Sequence, residues 1–291
     1  MIHNGSMFGL RSKYDSAIER LKAFEPADGY YLAFSGGKDS QAVYHLAVDS
    51  GVKFEAHYHV TTVDPPELVR FIKANYPDVI FDKPKMSMWE LIVKTKLPPT
   101  RLMRYCCDVL KEGHGQGRTV ITGVRWGESS SRRNRALLEL NAYSKHQIRL
   151  NNDNDEARRV FEVCQLKSKH ILNPIVEWNE KEVWEYLNGK NLPHCCLYDE
   201  GATRIGCIGC PMAGTKGMMR EFERWPKYRE AYMRAFDRML EARRSNGMTT
   251  RWANANEVMN WWLSIDGNDQ PRISDLMSLD DFEVLNEEVF S

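Results

Sequence analysis

The chain has 291 residues with 40 Lys and Arg against 40 Asp and Glu, so the whole-molecule field says nothing of a polyanionic partner. Hydrophobic residues at 42% can fill the core of one large α/β domain, alone or with an appendage. No apolar run approaches the roughly 20 residues that span a bilayer, and the start, MIHNGSMFGLRSKYDS, lacks the apolar core of a secretion signal. A cytoplasmic protein is therefore expected, with seven cysteines that are thiols or metal ligands rather than disulfides.

Residues 15–24 have the spacing of a short amphipathic helix, and residues 26–29 break it. YYLAFS (30–35) is a continuous apolar run entering a glycine turn, as in a buried parallel strand. DSQAVYHLAVDSG then has helical spacing and a glycine stop at Gly51. FEAHYHVTTVDPPELVRFIKANYP repeats strand, polar loop and helix, and VIFDKP and TVITGV read as further strands. Strands alternating with helices predict a parallel α/β layer with ligands at the carboxyl ends of its strands. Residues 214–262 are helical, aromatic and basic, and from Asp266 the chain turns acidic and poor in structure signals.

SGGKDS (35–40) falls at the first strand-to-helix junction and matches neither GxxxxGK[ST] nor GxGxxG. Adjacent Gly36 and Gly37 let consecutive N–H groups face one anion, and the following helix adds its positive end. Ser35 and Ser40 can donate, and Lys38 neutralises charge. Gly-Gly by itself marks many ligand-free turns, but all six residues after a buried strand predict an anion site. Arg125, just past the predicted strand TVITGV, is aimed at the same anion.

SGGKDS resembles the PP-loop of ATP pyrophosphatases, which holds the β,γ-pyrophosphate of ATP. TGVRWGESSSRR (122–133), NPIVEWNEKEVWEYL (173–187) and LYDEGATRIGCIGCP (197–211) together resemble the phosphoadenosine phosphosulfate reductase family, over roughly residues 28–211. The resemblance implies an adenine nucleotide alpha hydrolase-like (PP-loop) fold, a parallel sheet sandwiched by helices with a helical C-terminal extension. It implies ATP with Mg2+ as substrate, Lys38, Asp39 and Arg125 as catalytic residues, and Ser35, Gly36, Gly37, Ser40, Thr61 and Gly123 as further nucleotide contacts. Thr62 and Asp64 of HVTTVDPPEL are possible contacts, and Arg132 and Arg133 are either anion ligands or a solvated face.

Cys106 and Cys107 are adjacent, and Cys207 and Cys210 form CIGC. Four soft thiolates suggest zinc or an iron–sulfur cluster. Zinc usually draws on two separated chelating pairs, whereas vicinal cysteines can reach two corners of a cubane, which favours a 4Fe-4S cluster; zinc and plain buried thiols are the alternatives. The CC…CxxC pattern also resembles the cluster-binding arrangement of the adenylylsulfate reductase branch. Cys164, Cys195 and Cys196 read as small buried hydrophobes. Alternatively Cys195 or Cys196 carries a persulfide, which needs an exposed, electropositive setting.

Reductases of the family resemble one another in a C-terminal cysteine within a short ECG-type motif, and no cysteine follows Cys210 here. A PP-loop, a cluster and no such thiol are together similar to the sulfur-activating protein of DNA phosphorothioation systems of the Dnd or Ssp type. That likeness implies that ATP adenylates a DNA phosphate oxygen and that sulfur from a cysteine desulfurase displaces AMP, with other modification-complex subunits as partners and tRNA as a second acceptor. The alternatives are a phosphoadenosine or adenosine phosphosulfate reductase that forms sulfite, using Cys164, Cys195 or Cys196, and a non-catalytic nucleotide-binding subunit.

Residues 101–150 hold ten Lys and Arg against four Asp and Glu, and residues 216–251 hold ten against five, interleaved with aromatics. Such strips can neutralise phosphates while rings stack on bases. Tyr228, Tyr232 and Phe236, however, recur at i, i+4 as one stripe of a helix, the spacing of a core face. Trp252, Trp261 and Trp262 read as anchors of the last helix. The expected organisation is an N-terminal helix (1–27), a nucleotide-binding domain with the cluster (28–211), a basic and aromatic extension (212–265) and an acidic tail (266–291).

Overall fold

The computed structural model describes residues 3–4, 11–101, 103–112, 115–128, 132–133, 135–141, 147–150 and 169–264. Cys164 and the acidic tail lie outside them. The chain divides into two compact units. The first comprises Met1–Tyr58, Pro66–Asp82 and His114–Ile205, and the second His59–Pro65, Lys83–Gly113 and Gly206–Ser291. In chain order the helices are α1 (Lys13–Ala23), α2 (Lys38–Ser50), α3 (Pro66–Asn75), α4 (Met88–Thr95), α5 (Glu180–Gly189), α6 (Gly214–Arg224), α7 (Pro226–Ser245) and α8 (Ala255–Ser264). The sheet strands are β1 (Tyr30–Ala33), β2 (Phe54–His59), β3 (Ile80–Asp82), β4 (Thr119–Ile121), β5 (Leu138–Asn141), β6 (Gln147–Leu150) and β7 (Lys169–Leu172).

These seven strands form one sheet in the order β3-β2-β1-β4-β7-β5-β6, and a separate short antiparallel pair joins His3–Asn4 to Arg11–Ser12. β1 lies inside the sheet and pairs in parallel with β2, Leu32 opposite Ala56, and with β4, Leu32 opposite Ile121. Its Tyr30, Tyr31 and Leu32 are all buried, which is why it reads as an unbroken apolar run. β7 is parallel to β4, but β5 runs antiparallel to both β7 and β6. The sheet is therefore mixed, the expected parallel layer with an antiparallel pair at one edge, and with its helices it is the adenine nucleotide alpha hydrolase-like fold expected from the sequence. A local hairpin needs no crossover helix, so helix-strand alternation does not reveal it.

Each helix begins and ends where its side chains permit. α1 starts at Ser12, whose hydroxyl accepts the Asp15 N–H at 3.1 Å. α2 stops at Gly51, which takes a φ of +71° that a side chain would resist. α5 opens with a capping box, Asn179 accepting from Glu182 N–H while Glu182 accepts from Asn179 N–H. α2 packs on α1 and on α5.

The second unit has its own core, built by α4, α6, α7 and α8. Tyr232 and Phe236 of α7, Phe222 of α6 and Trp262 of α8 are buried with ring centroids 4.8–6.1 Å apart. Trp262 Nε1 donates to Pro99 O at 2.7 Å, and the Tyr232 hydroxyl donates to Ile208 O at 3.0 Å. The Tyr232 and Phe236 stripe is thus a core face and not a platform for bases. Trp252 and Trp262 are buried and Trp261 half-buried, as anchors should be.

Candidate functional site

The carboxyl ends of β1 and β4 lie side by side where strand order reverses, the place at which open α/β sheets bind ligands. From β1 the chain enters the glycine turn. Phe34 N–H donates to His57 O at 2.9 Å, and Ser35 then begins a turn that is already knitted together. Ser40 Oγ accepts from the Ser35 N–H at 3.2 Å and from Ser35 Oγ at 3.1 Å, and donates to Gly37 O at 2.9 Å. Gln41 Nε2 donates to Gly36 O at 2.9 Å. Gly36 has a φ of +71°, and a Cβ on it would lie 2.7 Å from Ile72 Cδ1. Both conformation and space reserve that position for glycine.

From β4 the chain delivers Gly123 and Arg125 to the same turn. A Cβ on Gly123 would stand 2.8 Å from the Asp39 carbonyl carbon and 3.0 Å from Ser40 N, so the absence of a side chain lets this segment meet the first turn of α2. Arg125 is buried; its Nε donates to Asp39 Oδ1 at 2.6 Å and its Nη1 to Trp178 O at 3.3 Å. Lys38 is also buried, at 4% exposure. Its ammonium donates to Thr203 O at 2.9 Å and stands 3.3 Å from Glu180 Oε1 and 3.7 Å from Asp39 Oδ2. Its backbone N–H donates to the Tyr198 hydroxyl at 2.9 Å. Burial pushes the Tyr198 phenol up, so it stays protonated at neutral pH.

The structure thus brings together Ser35, Gly36, Gly37, Lys38, Asp39, Ser40, Gly123 and Arg125, all in the first unit. It adds Tyr198, Glu180 and Thr203, which sequence reasoning did not single out although they lie in or beside the stretches that carry the resemblance. Arg132 pairs with Glu128 and Arg133 is exposed. Cys195 is wholly buried with its thiol pushed up to about 11 by that burial, whereas Cys196 is exposed.

Thr61 belongs to the second unit, where its N–H and hydroxyl donate to Asp64 at 2.7 and 2.8 Å. Cys106, Cys107, Cys207 and Cys210 gather in that unit too, and each is half-buried. Three of the thiols have partners: Cys106 donates to Cys107, Arg104 Nη2 donates to Cys107 Sγ at 3.3 Å, and Cys207 Sγ donates to Thr61 Oγ1 at 3.4 Å. The hydrogen bond from Cys106 and the Arg104 charge lower Cys107, while the same bond raises Cys106. Among the described residues no group of three or more His, Cys, Asp or Glu is placed to hold a metal ion. The expected 4Fe-4S cluster on these four cysteines is corrected accordingly.

Residues 29–213 match the model of the phosphoadenosine phosphosulfate reductase domain family. Among curated proteins, the chain is 26% identical to an uncharacterized protein of Methanocaldococcus jannaschii over 68% of its own length and 40% of that protein's. It is 25% identical to the adenosine 5'-phosphosulfate reductase of Bacillus anthracis, over 61% of this chain and 69% of that one. The chain spans only about two fifths of the length of the two Methanocaldococcus relatives that it matches, at 40% and 44%. Among solved structures it is similar to the phosphoadenylyl-sulfate reductase of Candida auris, with a TM-score of 0.42 and 18% identity over 66% of this chain and 88% of that one. The FMN adenylyltransferase of Candida glabrata gives a TM-score of 0.42 and 16% identity, over 68% and 61%. The expectation of cluster-dependent sulfur activation for DNA phosphorothioation is overturned by the family match and the Bacillus relative, together with the lack of a metal cradle among the described residues. The family match and the Bacillus relative favour its alternative, the reductase.

Proposed function

We propose that this chain, which belongs to the phosphoadenosine phosphosulfate reductase domain family, is an oxidoreductase that releases sulfite from an adenosine sulfonucleotide. The observation that carries the proposal is the preformed anion turn at the carboxyl ends of β1 and β4, inside the stretch that matches the family. The glycine amides of the turn and the positive end of α2 hold the anionic part of the nucleotide. Arg125 and Asp39 fix each other and keep the first turn of α2 in place.

The thiol proposed to act is Cys196, which is exposed, lies in the same unit as the turn and precedes Tyr198 by two residues. Its thiolate attacks the sulfur of the sulfonucleotide. The bond from sulfur to the bridging oxygen breaks, and AMP leaves with the electron pair. An external dithiol reductant then attacks Cys196 Sγ, sulfite leaves with the pair of the S–S bond, and the second thiol of the reductant resolves the mixed disulfide. Two electrons pass from the dithiol to sulfur, and Cys196 is regenerated.

The test is incubation of the full chain with adenosine 5'-phosphosulfate and reduced thioredoxin, following sulfite and AMP. Equimolar products are expected, with Cys196→Ser inactive and Lys38→Ala reduced by about a hundredfold. Nucleotide binding without either product, from this substrate or its 3'-phosphorylated form, would reduce the protein to a nucleotide-binding subunit.

A further inference from the structure

Two donors at the centre of the glycine turn are already engaged, and by one short segment. Tyr198 takes the Lys38 N–H at 2.9 Å, and Thr203 takes the Lys38 ammonium at 2.9 Å. The phenol oxygen also stands 3.3 Å from where a Cβ on Gly37 would be, so it overlies both residues at the start of α2. Tyr198 is held there: its ring lies edge-on to Trp184 at 5.0 Å and 88°, and the Lys38 ammonium lies 5.6 Å from its centroid. Charge is balanced around it, with Lys38 and Arg125 facing Asp39 and Glu180. A turn whose Ser35 and Lys38 amides are both engaged, with no surplus positive charge, suits one tetrahedral anion better than two linked ones.

We propose that Tyr198 is a specificity-determining residue of the nucleotide site, its hydroxyl occupying the Lys38 amide so that the turn takes a single sulfate or phosphate group and turns away a pyrophosphate. This deepens the sulfonucleotide function proposed above and rests on it for the identity of the natural ligand. The consequence is discrimination against ATP, whose β,γ-pyrophosphate would need the amide that Tyr198 fills.

The experiment is calorimetric titration of the full chain, native and Tyr198→Phe, with inorganic sulfate and with inorganic pyrophosphate. Phenylalanine keeps the ring against Trp184 and removes only the oxygen. The native protein is expected to prefer sulfate, and the variant to bind pyrophosphate about fivefold more tightly, as one released amide hydrogen bond allows, with sulfate changed less than twofold. Glu180→Gln, at an exposed carboxylate, should move pyrophosphate in the same direction by less. A native preference for pyrophosphate, equal changes for both anions, or weaker pyrophosphate binding in the variant would overturn the assignment. Anion binding is read without turnover, so a failed sulfite assay beside the expected anion pattern would sink the reductase and leave Tyr198 in its role.

Discussion

Gly123 acts on the glycine turn from another strand, and its whole contribution is to have no side chain. With a Cβ there, the Asp39 and Ser40 backbone would have to give by several tenths of an ångström, and that backbone is the start of α2. Gly123→Ala should therefore weaken nucleotide binding by about ten- to a hundredfold, because small displacements of positioned groups are costly, while overpacking lowers stability by about 1–3 kcal/mol. Calorimetry with AMP beside a urea melt separates the two, and unchanged AMP affinity would mean that the turn tolerates the shift. Gly36 and Gly37 were legible as residues of an anion turn from SGGKDS itself. That Lys38 would be buried, its ammonium on a carbonyl 165 residues away, was not, since no local pattern encodes such a partner.

At the scale of elements, α2 connects the turn to the interior. Its His45 bonds the Tyr76 hydroxyl at 3.1 Å, and burial, with a smaller contribution from Lys190, lowers its pKa from the ordinary 6.5. The sign follows from linkage: below that ordinary value the unfolded chain binds a proton that the native state resists, so stability falls as pH falls. Urea midpoints at pH 7.5 and 5.5 should drop on acidification, and drop less in His45→Gln; equal drops would place the effect on other groups. α4 offers a simpler case. Its capping box, Ser87 with Glu90, satisfies amides at the helix start, and Ser87→Ala should cost about 1 kcal/mol in a urea melt. Helices such as α2 and buried strands such as β1 were readable because stop signals and apolar periodicity are local, whereas the parallel β7 was not read. The antiparallel β5 was missed, although Leu138 and Leu140 alternate with polar neighbours, because so short a run yields to the louder helix-strand rhythm.

For the molecule as a whole, two units interleave along the chain, so sequence order is a poor guide to what packs with what. Segment 59–65 belongs with helices from the far end of the chain, and Ile208 N–H donates to Val63 O at 2.8 Å. Phe236 sits fully buried in the second unit's core, and Phe236→Ala should cost about 3–5 kcal/mol, read from the denaturant midpoint. A loss below about 1 kcal/mol would mean that the aromatic cluster closes over the gap.

By itself the sequence determined the glycine turn, the strand that feeds it, the helical C-terminal stretch and the kinship to the reductase family. These rest on local signals: residue types at fixed spacing, apolar runs and caps. Only the tertiary structure decided how the donors and charges are spent. It placed Tyr198, Thr203 and Glu180 on Lys38, set Arg125 against Asp39, and gave Cys106, Cys107 and Cys207 side-chain partners where a metal cradle was expected. The reason is physical: hydrogen bonds and ion pairs depend on distances of about 3 Å between atoms far apart in the chain, and no spacing along the backbone specifies them.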